Sequence, residues 1–370
     1  MKAIRILILD DSVVFRSQIR AALEGIQDIE VVATVASGRI ALKKLQEGPV
    51  DLVISDLEMP EMTGIEFLQE LKKLSLSPKV IVFSSFSTHG AEITMEALRL
   101  GASDFVPKPN GENLGNSYHY PGDNVSNEPK DKIRALLLDK IFGLFNVTPG
   151  TSAGVKLNQV PVSVVPKSIE ESWDTFSPKV IVIGSSTGGP NALEAIFSKI
   201  KAPFSCPILI TQHMPPLFTA ILAKRLESVS QIPSAEAQHN EPLQSNRIYV
   251  APGDYHMRLT HAQSGIQITL DKNAHEHSVR PAVNPLFVSA AKIFGRACLG
   301  IVLTGMGEDG KIGAQEIKKM GGKVMIQNKE SCVVFGMPGA VFLAGAYDKV
   351  GDPQTISETL INLVALKKRM

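Results

Sequence analysis

Between Ile4 and Pro109 short runs rich in Val and Ile alternate with amphipathic segments, and this alternation restricts the fold more than any other feature of the chain. The runs I-R-I-L-I-L, I-E-V-V-A-T-V, V-D-L-V-I-S, K-V-I-V-F-S and D-F-V-P-K-P read as strands buried on both faces, since a strand covered on one face would alternate apolar with polar. Between them Phe15, Ile19, Ala22 and Leu23, or Ile65, Leu68 and Leu71, share one helical face. After a polar insert, N-G-E-N-L-G-N-S-Y-H-Y-P-G-D-N-V, residues Ile133, Leu136, Leu137, Ile141 and Leu144 predict a fifth helix. Such βα repeats make a doubly wound parallel sheet, here over residues 1–145.

A second alternation begins at V-I-V-I-G and continues through C-P-I-L-I-T-Q, R-I-Y-V-A-P, G-I-Q-I-T-L, L-G-I-V-L-T-G and K-V-M-I-Q-N. It predicts a second doubly wound, mainly parallel α/β domain over residues 179–370, with a small antiparallel excursion around residues 248–270. Residues 146–178, rich in Pro, Val, Ser and Thr and without periodicity, read as a linker. A chain of 370 residues is long enough for two cores.

With 38 basic and 37 acidic residues there is no charge excess to draw nucleic acid or an anionic membrane. No run approaches the ~18 apolar residues of a spanning helix, so membrane insertion is not expected. Cys206, Cys298 and Cys332 have no metal spacing and lie in or beside apolar runs, which fits reduced thiols in a cytoplasmic protein.

In a parallel sheet the strand ends open on one edge. There the first domain places Asp10 and Asp11 after its first strand, Asp56 after the third, Ser84 and Ser85 after the fourth and Lys108 after the fifth. Converging carboxylates repel one another unless a hard cation such as Mg²⁺ neutralises them, and a hydroxyl and an ammonium beside them suit a phosphoryl group. The D-D pair, D-L-E-M-P-E-M-T-G, Ser84 and K-P resemble a two-component receiver domain over about 110 residues. The resemblance implies a phosphoryl group on Asp56 from a histidine kinase, and Mg²⁺ held by Asp11, Asp56 and the Glu58 carbonyl with Asp10 helping through water. Ser84 and Lys108 would sense the phosphate. Thr63 departs from the pattern where an acid often precedes the glycine, and little effect is expected from it.

In the second domain V-I-V-I-G-S-S-T-G-G-P lacks both G-x-G-x-x-G and the G-K-S/T of a phosphate loop, but contains G-x-S-x-G with Ser186 at the tip of a strand-to-helix turn. Singly, such a serine is more often a helix cap. His213, directly after C-P-I-L-I-T-Q, falls on the same sheet edge and can act as its base, and L-T-G-M-G-E-D-G offers Glu308 or Asp309 to orient that base. The backbone N–H of Met306 is the candidate oxyanion donor. His275 and His277 stand two apart without a third ligand, which argues against a metal site.

The blocks I-G-S-S-T-G-G-P, I-T-Q-H-M-P-P, Y-V-A-P-G-D-Y-H-M, R-P-A-V-N-P-L-F, L-T-G-M-G-E-D-G and S-C-V-V-F-G-M-P resemble the chemotaxis protein-glutamate methylesterase family, CheB, so the resemblance spans nearly the whole chain. It implies Ser186 as nucleophile, His213 as base, Asp309 rather than Glu308 as orienter, and no metal for the ester step. It further implies a chemotaxis histidine kinase as phosphodonor and, as substrate, glutamate γ-methyl esters on the cytoplasmic helices of methylated chemoreceptors. Some members also deamidate receptor glutamines. The unphosphorylated receiver is expected to cover the active edge.

Ser185 and Asn284 depart from common family residues and are expected to tune the pocket. S-W-D-T-F at 172–176 is similar to the docking tail of some chemoreceptors, and a plain aromatic anchor for the linker is the favoured alternative. Two rival functions remain at this level: a phosphorylation-dependent adaptor with lapsed chemistry, and a paralogue serving another signalling array.

Overall fold

The computed structural model describes residues 3–74, 77–108, 128–147, 173–200, 203–263 and 265–364. The polar insert after Pro109 and most of the expected linker lie outside them. The first sheet contains β1 (Ile4–Leu9), β2 (Ile29–Val35), β3 (Leu52–Asp56), β4 (Lys79–Ser84) and β5 (Asp104–Pro107), in the order β2-β1-β3-β4-β5. Every pairing is parallel. Helices α1 (Val13–Leu23), α2 (Gly38–Glu47), α3 (Gly64–Lys73), α4 (Thr88–Arg99) and α5 (Pro129–Phe145) cover its two faces. Thr63, the residue that departed from the receiver pattern, caps α3: its hydroxyl accepts from Glu66 N, and the Glu66 carboxylate accepts from Thr63 N.

The second sheet has the order β14-β13-β12-β6-β7-β9-β8 and is also parallel throughout. Its strands are β6 (Val180–Ser185), β7 (Ile208–Gln212), β8 (Ser234–Glu236), β9 (Ile248–Val250), β12 (Cys298–Val302), β13 (Lys323–Gln327) and β14 (Lys349–Gly351). The antiparallel excursion is narrower than expected. It is the separate hairpin β10 (His256–Ala262) and β11 (Gly265–Asp271), whereas β9 joins the main sheet in parallel. Short β8 and β14, three residues each, carried no recognisable periodicity. Helices α6 (Gly189–Phe197), α7 (Phe218–Ser230), α8 (Val283–Phe294), α9 (Lys311–Lys319), α10 (Met337–Leu343) and α11 (Pro353–Val364) complete the domain. All six residues of β6 are buried, as a central strand covered on both faces requires.

The two domains pack through apolar and polar contacts. The Phe105 and Phe218 rings stack at 4.6 Å. Asn191 Nδ2 donates to Leu98 O at 2.7 Å, and the Thr187 hydroxyl donates to the buried Asp104 carboxylate, which also binds Lys140 at 2.7 Å. At the start of the second domain Trp173 and Phe176 meet edge to face at 6.0 Å, and the amines of Lys323 and Lys349 lie 5.4 and 5.5 Å from the Trp173 ring. Both rings thus pack on the second domain, as an aromatic anchor would.

Cys206 and Cys298 are buried and Cys332 half-buried, all three as free thiols. Burial pushes Cys206 and Cys332 up to about 12, so neither is a ready thiolate. Among the described residues no helix is long and apolar enough to cross a membrane.

Candidate active site

Strand order in the second sheet changes direction at β6, with β7 on one side and β12 on the other, and ligands gather at the carboxyl ends of such a switch. Three loops meet there. β6 ends at Ser185, and the chain turns through Ser186, Thr187 and Gly188, whose φ of +78° admits glycine without strain, into α6. Ser185 is fully buried and its hydroxyl donates to Gln212 Oε1 at 2.7 Å, whereas Ser186 is partly exposed in the cleft. Ser186 N donates to Thr304 O at 3.0 Å, which draws the loop after β12 against the turn. A Cβ on Gly305 would lie 2.8 Å from Ser186 Cβ, so only glycine permits this approach.

His213 follows β7. Its Nε2 meets Asp309 Oδ2 at 2.8 Å. Since Nε2 is engaged by the carboxylate, the ring donates there and Nδ1 is left as the basic nitrogen. Asp309 is 1% exposed. Its Oδ2 also accepts from Val283 N at 2.6 Å, and its Oδ1 accepts from Asn284 N at 3.0 Å and Gly310 N at 2.8 Å. Burial alone would raise this carboxyl, but the His213 contact and the two N–H groups at the start of α8 outweigh it and hold it below the usual carboxylate range. Glu308, the other acid of the turn, pairs with Lys311 at the rim.

A folded-state pKa below the ordinary 3.8 makes Asp309 stabilising above that value, and the contribution is lost as pH falls through the folded pKa. We therefore expect Tm to fall less steeply below about pH 4 in Asp309→Asn than in the unsubstituted chain, measured by calorimetry across acid pH.

The cleft holding Ser186, His213 and Asp309 has a volume of about 540 Å³ and is also lined by His275, His277, Met306 and, from the first domain, Leu136 and Lys140 of α5. Gly305 N donates to Val334 O, whereas Met306 N has no acceptor among the described residues. The Met306 side chain reaches the first domain, where a Cβ on Gly143 of α5 would lie 2.6 Å from its Cε.

Two residues had roles that motif reading did not assign. Gln212, inside the conspicuous I-T-Q-H block, donates from Nε2 to Ser186 O at 2.9 Å while accepting from Ser185, and so braces the turn at Ser186. Asn284 does not line the pocket. Buried at the start of α8, its Oδ1 accepts from Gly310 N and Gly313 N and caps α9, while Asp309, just before α9, caps α8 in return.

At the carboxyl edge of the first sheet, carboxylate oxygens of Asp10, Asp11 and Asp56 lie within 4.8 Å of one another. Lys108 Nζ is 2.6 Å from Asp56 Oδ2 and 3.3 Å from Asp10 Oδ2. Burial raises Asp10, and the Asp56 charge adds to this against the pull of Lys108. Buried Asp10 Oδ2 has no hydrogen-bonded partner, only the ion pair, and an all-oxygen acid set of this kind fits a hard divalent cation such as Mg²⁺. Glu58 N donates to Asp56 Oδ1 at 3.3 Å. Ser84 stands apart: its hydroxyl donates to Gly90 O of α4 at 2.9 Å. Among the described residues Asp10, Asp11 and Asp56 form the one group of three or more side chains able to hold a metal ion, and the His275 to His277 loop contributes to none.

A strand-to-helix serine sharing a cleft with an aspartate-paired histidine defines a serine hydrolase, here joined to a domain that carries an acidic cluster and a lysine at the edge of its own sheet. The CheB methylesterase family matches residues 181–360 and the response regulator receiver domain matches residues 6–117. A protein-glutamate methylesterase/protein-glutamine glutaminase of Nocardioides sp. is 40% identical over 356 residues, covering 95% of this chain and 92% of that one. One from Thermotoga maritima is 38% identical, covering 98% of this chain and 99% of its own. The crystal structure of the Thermotoga maritima CheB methylesterase catalytic domain is 44% identical, with a TM-score of 0.50, and covers 51% of this chain and all of that one. The chain belongs to the CheB methylesterase family.

Proposed function

We propose that this chain is a phosphorylation-gated protein-glutamate methylesterase, with a receiver over residues 1–145 and a catalytic domain over 179–370, acting on chemoreceptor glutamate γ-methyl esters. The observation that carries the chemistry is the 2.8 Å contact between His213 Nε2 and Asp309 Oδ2 in the cleft that presents Ser186. Ser186 Oγ attacks the ester carbonyl as its proton passes to His213 Nδ1. The tetrahedral oxyanion takes a hydrogen bond from Met306 N, a donor worth ~3 kcal/mol when well placed. Its collapse expels methoxide, which leaves as methanol with the proton from His213. Water then attacks the γ-glutamyl ester of Ser186 with His213 again as base, releasing glutamate. On a glutamine side chain the same steps release ammonia.

In the receiver, Asp56 is the phosphoacceptor. Asp11, Asp56 and the Glu58 carbonyl, with Asp10 alongside, would hold Mg²⁺, which neutralises the carboxylates and the phosphoryl oxygens. A chemotaxis histidine kinase is the phosphodonor, and Ser84 and Lys108 sense the phosphate. Gating is supported by α5, which lines the cleft, and by the Asp104 to Thr187 hydrogen bond next to the nucleophile. The interdomain stack and hydrogen bonds are worth about 1 kcal/mol each, a total that new phosphate contacts can offset. A phosphodonor is expected to raise methanol release from methylated receptor several-fold in the intact chain and to have no effect on Asp56→Asn. Removal of residues 1–145 should raise the basal rate without a phosphodonor. An unchanged rate in both experiments would exclude gating.

A further inference from the structure

We propose that His277 biases the cleft toward an ester over an amide, and that Asn284 sets this bias by fixing which ring nitrogen of His277 carries the proton. The proposal rests on the esterase reading above. Asn284 is 3% exposed, and one end of its amide receives Gly310 N at 3.1 Å and Gly313 N at 2.9 Å. Backbone N–H groups only donate, so that end is the oxygen. The other end, Nδ2, faces His277 Nε2 at 3.2 Å and can only donate. His277 Nε2 must therefore present its lone pair, and the neutral ring carries its proton on Nδ1.

His277 is exposed and lines the cleft that holds Ser186 and His213. With Nε2 already accepting, Nδ1–H is the one ring nitrogen this cleft-lining residue has left to offer a substrate, and it is a donor. The methoxy oxygen of a glutamyl ester can accept from such a donor. The NH₂ of a glutamine side chain meets it donor to donor, a mismatch that costs binding.

The turn that carries His277 points the same way. Glu276 N donates to Val279 O at 3.3 Å and Val279 N to Glu276 O at 3.0 Å, while His277 and Ser278 sit at φ of +52° and +61°. Two central residues at positive φ mark a tight hairpin turn that Asn-Gly fills most easily. Just after the turn, the Arg280 guanidinium binds Asp254 and the carbonyls of Lys272 and Asn273, which ties the chain down on that side. Strain that the surroundings over-determine in this way marks side chains placed for a function.

Asn284→Asp keeps an acceptor for Gly310 N and Gly313 N but presents an acceptor to His277, which moves the ring proton to Nε2 and exposes an Nδ1 lone pair. Methanol release from receptor methyl esters and ammonia release from receptor glutamines are measured on the full chain. The ratio of the two kcat/KM values is expected to fall about five- to tenfold. In a His277→Ala background, Asn284→Asp should leave the ratio unchanged. His277→Ala alone, in an exposed turn that does not carry the α8 cap, should also lower the ratio. An unchanged ratio in His277→Ala, or an equal effect of Asn284→Asp with and without His277, overturns the proposal. If the unsubstituted chain releases neither product, the esterase reading falls with it; an active chain with an unaltered ratio overturns only the role of His277.

Discussion

Ser186→Ala is expected to lower kcat for methanol release from methylated receptor by on the order of 10⁶-fold, because a covalent mechanism without its nucleophile retains only binding and oxyanion stabilisation. Ser185→Ala is the informative control, since the two serines are adjacent and chemically identical. Ser185 is buried at the end of β6 and its hydroxyl is committed to Gln212. Its loss should cost about 1 kcal/mol of stability and leave kcat within about tenfold. Rates for the two variants, with denaturant midpoints for each, check the assignment; equal rates would exclude Ser186 as the nucleophile.

Asp309→Asn should lower kcat by about 10⁴-fold and destabilise the fold as well. The carboxylate accepts from four donors, two on each oxygen: His213 Nε2 and Val283 N on one, Asn284 N and Gly310 N on the other. An amide has only one accepting end. If its nitrogen faces His213, the imidazole must carry its proton on Nδ1 and cannot take the serine proton. If it faces Asn284 and Gly310, the buried Asn284 N–H loses its acceptor, at about 1–3 kcal/mol, while Gly310 N keeps Asn284 Oδ1 at 3.1 Å. Pre-steady-state methanol release with urea unfolding distinguishes the two outcomes. By the same logic Glu308→Gln should change kcat little, because Glu308 pairs with Lys311 at the rim.

Much of this architecture could be read from residues alone because buried parallel strands and helical faces have distinct local patterns. The five strand runs of the first domain became β1 to β5, and the six runs of the second all correspond to strands. What escaped was β8 and β14, three residues each and too short for a period to register, β10, which had no run of its own within the expected antiparallel stretch, and the direction of β9, which depends on a neighbour rather than on its own residues. Thr63 illustrates the same limit. As a departure from a motif it invited a neutral expectation, and only its reach to Glu66 identified it as a cap.

The sequence by itself determined the chemical inventory: a serine at a strand-to-helix turn, a histidine and an acid after neighbouring strands, and an acid cluster with a lysine at the edge of another sheet. Order along the chain and the parallel topology suffice for that, because such topology sends every strand end to one edge. The tertiary structure decided between alternatives that local pattern leaves equal. It put Ser185 in the core and Ser186 in the cleft, and it set Asp309, not Glu308, against His213 and three backbone N–H groups. It also moved Asn284 from pocket to brace and brought Asp104 across to Thr187, a partner 83 residues away. Hydrogen bonds and burial of this kind are made between distant segments, so no window of sequence contains them.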